Sequence, residues 1–141
     1  MAGTETLKQI RVGLGIVIRQ GQILICRRKK NDSFGGYWEF PGGKCEAGEA
    51  IEQCVQREML EELGIQVTPV QALTPIEHRY PGTAVTLYPF ICRHDSGEPV
   101  ALCAAEFRWV ATGSLREFQF PPANVSLIAS LEGIDLAVGE A

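Results

Sequence analysis

The sequence predicts an α/β (α+β) fold, a mixed β-sheet packed between α-helices. Three observations carry that expectation. Short β-branched apolar runs lie on both sides of one central helical segment. That segment repeats its apolar residues Ile51, Cys54, Val55 and Met59 with the period of an amphipathic helix. A second helical stretch closes the chain behind two prolines.

Taken in order, residues 1–8 form a polar lead-in. Residues 10–18 (IRVGLGIVI) read as a buried strand, 19–22 as a turn and 23–26 (ILIC) as a second strand, together a hairpin. Residues 27–30 are a short basic run, either a solvated strand end or a set of phosphate contacts. Residues 31–37 are a loop. Residues 38–43 (WEFPGG) run extended into a tight turn, since proline sets φ and glycine reaches positive φ. An acidic turn at 46–49 leads into the helix over 50–63, which Gly64 ends. Residues 65–70 and 73–80 read as extended. Residues 84–92 (AVTLYPFIC) form a strand in which Pro89 predicts a bulge or an edge. A turn at 94–99, a strand over 106–110, a short helix over 113–118 and a last helix over 125–131 follow. The small, acidic tail from 133 to 141 reads as poorly ordered.

At 141 residues and 45% hydrophobic composition the chain predicts a single domain, 1–141, with its core over about 10–131. A net charge of −4 speaks against a nucleic-acid surface, which calls for a basic patch. It leaves room for a nucleotide substrate whose charge a metal offsets. The five cysteines are odd in number and show no CxxC pair, so they read as reduced thiols. No signal-peptide pattern or membrane-length apolar run is visible, and the expectation is a soluble, cytoplasmic protein with no membrane partner.

The chemistry concentrates between residues 43 and 65. Glu58, Glu61 and Glu62 stand at i, i+3 and i+4 and share one helix face. Each close pair of like charges costs an isolated helix roughly 0.2–0.5 kcal/mol. A solvated acidic stripe is the plain alternative. A divalent cation among hard oxygen ligands explains the cluster better, and Mg²⁺ or Mn²⁺ suits it. Arg57, one residue ahead, is placed to orient the carboxylates.

The run Gly43-X5-Glu49-X7-Arg57-Glu58-Met59-Leu60-Glu61-Glu62-Leu63-Gly64-Ile65 matches the Nudix box, GX5EX7REUXEEXGU, at every defined position. The chain therefore resembles the Nudix hydrolases. Within them it looks most like the MutT branch, the 8-oxo-dGTP pyrophosphohydrolases. Arg27-Arg28, the stretch from Glu39 to Lys44 and the segment Phe120-Pro121-Pro122-Ala123-Asn124 carry that finer likeness. The resemblance implies a mixed sheet between helices, with the box as loop–helix–loop. It implies Mg²⁺-dependent (Mn²⁺ possible) hydrolysis of a nucleoside triphosphate to the monophosphate and pyrophosphate.

Residue by residue, it implies that Glu58, Glu61 and Glu62 hold the metal with the carbonyl of Gly42, and that Glu106 reaches the site as ligand or base. Arg57 orients the glutamates; Gly43 and Glu49 support the loop. Asn124 pairs with the base edge, Arg28 contacts the nucleotide, and Phe40 belongs to the base pocket. Glu58 and Glu106 both remain candidates for the general base. From the residues alone Asn124 reads first as a helix N-cap, and Arg28 reads equally as an ordinary solvated arginine. Trp38 and Trp109 read as core or rim aromatics. The loop Pro81-Gly82-Thr83 lacks the charged residues that the branch carries there. Alternatives are a pyrophosphohydrolase preferring CTP, dCTP or a modified pyrimidine nucleotide, and a non-catalytic nucleotide-binding module. The retained glutamates speak against the latter. A monomer or small homo-oligomer is expected.

Overall fold

The computed structural model describes residues 7–134; the first six residues of the lead-in expected over 1–8 and the last seven of the tail expected over 133–141 lie outside them, and Lys8 already belongs to a strand. Its spine is a parallel pair, β1 (Lys8–Arg19) and β7 (Thr83–Ser96), in register from Lys8↔Thr83 to Ile18↔Arg93. The free edge of β1 is shared. β4 (Gly42–Lys44) takes its middle, and β2 (Gln22–Arg27) takes its end through a hairpin. The hairpin turn puts Gln20 (φ 53°) and Gly21 (φ 75°) in the left-handed region, as a two-residue turn between twisted strands requires. The far edge of β7 is likewise shared by β5 (Gln66–Ala72) and β6 (Ile76–Tyr80). β8 (Glu106–Ala111) and β3 (Trp38–Glu39) both pair with β2.

Helices cover both faces, so β1 is buried on both sides and reads as a continuous apolar run. Ile16, Ile18, Ile23 and Ile25 pack toward α2 (Val125–Glu132), which contributes Leu127, Ile128 and Leu131. Val17, Leu24 and Cys26 face the other way, onto Val55, Met59 and Leu63 of α1 (Ile51–Leu63). Gly13 and Gly15 let α1 sit close. A Cβ on either would lie 3.0 Å from the side chain of Val55 or Met59. At the start of α1 the Ala50 N–H donates to Gln53 Oε1 (3.3 Å). At its end Gly64 turns left-handed (φ 68°) and donates to Leu60 O (3.0 Å).

Four local expectations are corrected. Pro89 lies in a central strand, where β7 changes its outer partner from β6 to β5. Its carbonyl accepts from Leu73 N, so its missing N–H also points outward, into the gap between those ladders. The polar residues 94–96 continue β7 because β5 pairs with them; the turn comes only at Gly97 (φ 91°). The segment Thr112–Glu117 is a 3₁₀ helix. Gly42 and Gly43 serve close approach rather than positive φ. A Cβ on Gly42 would collide with Gly13 O, and one on Gly43 with the Glu58 carboxylate.

Candidate active site

The site forms because the segment from β3 to β4 crosses from β2 to β1 directly beside α1. Trp38 and Glu39 pair with Arg27 and Cys26, while Gly42, Gly43 and Lys44 pair with Leu14, Gly13 and Val12. The crossing brings Gly42 N–H to Glu62 Oε1 (3.2 Å) and Gly43 against Glu58. Glu58, Glu61 and Glu62 thus line one face of α1, next to a glycine pair that admits no side chain.

Arg57 organises this face. Nε and Nη2 donate to Glu49 Oε2 (2.8 Å) and Oε1 (2.9 Å), and Nη1 donates to Glu58 Oε2 (2.9 Å) and Glu61 Oε2 (3.1 Å). Nη2 also reaches Lys44 O (3.0 Å). The guanidinium therefore ties the loop to the helix as well as aligning carboxylates. These hydrogen bonds hold the Glu49 carboxyl down at about 2. Glu49 Oε1 in turn accepts from Glu46 N (3.0 Å) and braces the acidic turn.

Glu62 is different. Among the described residues it meets no cationic side chain. Burial first, then the charge of Glu58, pushes its carboxyl up to about 7, although the Gly42 N–H opposes this. Burial also raises Glu58, against the pull of Arg57. A shielded carboxylate without a cation, among two more carboxylates and a glycine cradle, is a donor set of hard oxygens suited to a divalent ion. An alanine at position 43 would push its methyl into the Glu58 carboxylate. We expect Gly43→Ala to lower kcat/KM by about 10–100-fold, by analogy with misplaced catalytic groups, with the circular dichroism spectrum unchanged.

An open cleft of about 360 Å³, within the size range of small-molecule sites, is lined by Gly42 and Gly43, which touch Glu62 and Glu58. Arg28, Glu39, Phe40, Gly43, Tyr80 and Asn124 line it. Arg28 is held in place: Nη1 donates to Glu39 Oε1 (2.6 Å) and Nε to Ser33 O (2.6 Å). The Phe40 ring is only 2% exposed and stacks on Phe120 at 5.1 Å, so it serves as a wall of the cleft. Asn124 is 8% exposed and precedes α2, yet its side chain makes no capping hydrogen bond. The capping role is thereby excluded in this structure, and the amide borders the cleft.

Two findings depart from the sequence-based expectation. Glu106 pairs with Arg27 across β8 and β2, with its Oε1 3.2 Å from Arg27 Nη1. Strand alternation groups it with Arg108 and Val110, on the α2 side of the sheet. The structure thus does not bring it together with Glu58, Glu61 and Glu62. The carboxylate that does join them is Glu39. It lies on the α1 side, its charge helps to raise Glu62, and burial raises its own carboxyl despite Arg28. Its signal in the sequence was its place just before the Gly-Gly pair. As for the remaining expectations, Trp38 is a core residue (6% exposed), and the Trp109 ring carries the Arg19 guanidinium at 4.2 Å.

With this geometry in hand, comparison with known proteins is informative. The NUDIX domain matches residues 13–130. The chain belongs to the Nudix family. An 8-oxo-dGTP diphosphatase of Haemophilus influenzae is 36% identical over 125 residues, covering 88% of this chain and 92% of that protein. A CTP pyrophosphohydrolase of Escherichia coli is 28% identical over 131 residues, covering 93% and 97%. A MutT structure from work on Aliivibrio salmonicida and Vibrio cholerae superposes with TM-score 0.73 at 34% identity, covering 88% and 97%. Nudix hydrolases generally use divalent metal ions, which agrees with the donor set found on α1. No helix among the described residues is long and apolar enough to cross a membrane.

Proposed function

We propose that this Nudix hydrolase cleaves 8-oxo-dGTP to the monophosphate and pyrophosphate with Mg²⁺, Mn²⁺ serving as a substitute. The name of the Haemophilus influenzae relative supports the substrate class. The observation that carries the reading is Asn124. A nearly buried residue with no capping bond borders a cleft that is also lined by Gly42 and Gly43, the glycines against Glu62 and Glu58. An amide offers a donor and an acceptor side by side, which an 8-oxo-purine edge can satisfy together.

Glu58, Glu61, Glu62 and the Gly42 carbonyl would hold the cation. When bound, it supplies neutralisation of the polyphosphate oxygens and a lower pKa for the attacking water. Arg57 keeps Glu58 oriented through Oε2, which leaves Oε1 to take the proton of a water directed at the β-phosphorus. Glu58 is accordingly our general base. The ion pair of Glu106 with Arg27 and its strand face support the choice of Glu58. Arg28 steers the nucleotide, with Glu39 holding its guanidinium. We further propose a single domain over 1–141 that acts in the cytoplasm as a monomer or small homo-oligomer, on free nucleotides rather than on nucleic acid or membranes.

Steady-state kinetics on a panel of triphosphates tests the assignment. The highest kcat/KM is expected for 8-oxo-dGTP. Asn124→Ala is expected to reduce its advantage over dGTP by about 10–100-fold, the range for an unpaired polar group in a recognition site. A second reading, preference for CTP or dCTP, draws on the Escherichia coli relative and on the uncharged loop that follows Tyr80 at the cleft. A higher kcat/KM for either pyrimidine nucleotide than for 8-oxo-dGTP would establish it and reject the first.

A further inference from the structure

We propose that Cys45, Cys54 and Glu49 form a second cation site, selective for a thiophilic divalent ion of the Zn²⁺ class and separate from the carboxylate face of α1. The two thiol sulfurs and a Glu49 oxygen all lie within 4.8 Å of one another. Cys45 follows β4 and Cys54 sits in the first turn of α1, so the fold alone brings them together.

The donors are placed for coordination. Cys54 is fully buried, and Gly13 leaves room for its sulfur, which lies 3.5 Å from Gly43 O. Tetrahedral zinc with bonds of about 2.3 Å to sulfur and about 2.1 Å to oxygen separates such a pair by about 3.6 Å. By that distance Gly43 O is near enough to Cys54 to serve as a fourth ligand. Glu49 also has capacity to spare. Its Oε1 accepts from Glu46 N and Arg57 Nη2 and its Oε2 from Arg57 Nε, and the Cys54 thiol also donates to this carboxylate, a bond whose proton the ion would replace. Loss of the Cys54 proton frees one lone pair of the carboxylate for an ion without breaking the bonds to Arg57. Access is through Cys45, which is half-buried and borders a surface cavity with Ile10, Arg11 and Ala47. The neighbouring Arg11 guanidinium is engaged by the carbonyls of Glu46 and Glu49.

Binding replaces both thiol protons by the ion, so two protons leave for each ion bound. In the metal-free protein burial and Cys45 hold the Cys54 thiol up at about 12, so its proton is one that the ion has to displace. Two thiolates and a carboxylate favour Zn²⁺ or Cd²⁺ over Mg²⁺, which prefers oxygen ligands alone. The bound ion would clamp the loop after β4 to the helix that carries the catalytic glutamates.

The test uses the full chain, reduced, with Mg²⁺ in excess to saturate the carboxylates, and Cd²⁺ as the probe. One equivalent of Cd²⁺ is expected to produce a saturating ultraviolet thiolate-to-metal band and release two protons. At about 100 times its dissociation constant it should raise the melting temperature by about 5 °C or more. Cys45→Ser and Cys54→Ser should abolish the band, whereas Cys103→Ser, at an exposed position outside the cluster, should retain it. Should Cys54→Ser fail to fold, Cys45→Ser decides. No band in the wild type, a band that survives Cys45→Ser, or one lost in Cys103→Ser overturns the proposal. None of these readouts depends on which nucleotide the enzyme hydrolyses.

Discussion

Replacing Glu58 with Gln should lower kcat/KM by about a thousandfold or more while the protein stays folded. The carboxylate is only 12% exposed, is held by Arg57 and packs against Gly43. Glutamine keeps the shape but loses the negative charge and the basic oxygen. A general base alone contributes about 10²–10⁴-fold, and loss of a metal ligand adds to that. The fold should not suffer, because Glu49 and Glu61 still engage Arg57 and the repulsion between Glu58, Glu61 and Glu62 falls. Stopped-time assays of pyrophosphate release, alongside thermal melts, provide the check. Glu106→Gln is the matched control. Paired with Arg27 on the α2 side, it should cost about tenfold or less. A loss with Glu106→Gln as large as with Glu58→Gln would move the base assignment to Glu106.

The contrast between these two glutamates shows where sequence reasoning reaches. Glu58, Glu61 and Glu62 were legible because a helix converts spacing directly into a shared face, and the same period placed Cys54, Val55 and Met59 in the core. A strand gives no such security. The segment around Glu106 reads as a strand from its apolar residues, but its side is set by a register of period two. A shift of one residue reverses it. Only pairing of Glu106 with Arg27, beyond the reach of local pattern, decides the phase.

Glu39 failed to register for a related reason. The strand that carries it is two residues long, too short for any periodicity, and its orientation comes from pairing with Cys26. Asn124 required the structure in another way. Its position ahead of a helix predicts a cap, and only the structure shows that the side-chain bond of a cap is missing. The Cys45–Cys54 neighbourhood arises from the packing of β4 on α1 and has no counterpart in sequence spacing. Elements, core faces and the carboxylate helix were thus readable, whereas placements that rest on contacts between distant segments were not.

Glu62 governs the expected pH dependence. Its carboxyl is raised from 4.5 to about 7, with burial the larger cause and Glu58 the next. Raising an acid in the folded state means that the folded protein holds a proton that the unfolded chain has released. Without a divalent ion, stability must therefore fall as pH rises from about 4.5 to about 7, then level off. Glu62→Gln removes that loss, so the metal-free variant should melt above the wild type at pH 8 and close to it at pH 4.5. Catalysis runs the opposite way. The ion needs the ionised carboxylate, so at subsaturating Mg²⁺ kcat/KM should fall about 50-fold between pH 7 and 5, approaching tenfold per unit at the lower end. Saturating Mg²⁺ competes with the proton and should move that limb to lower pH. Glu62→Gln should instead give a low rate with a flattened acid limb. An acid limb that keeps its position at every Mg²⁺ concentration would show that Glu62 does not bind the ion, since a shared site obliges metal and proton to compete.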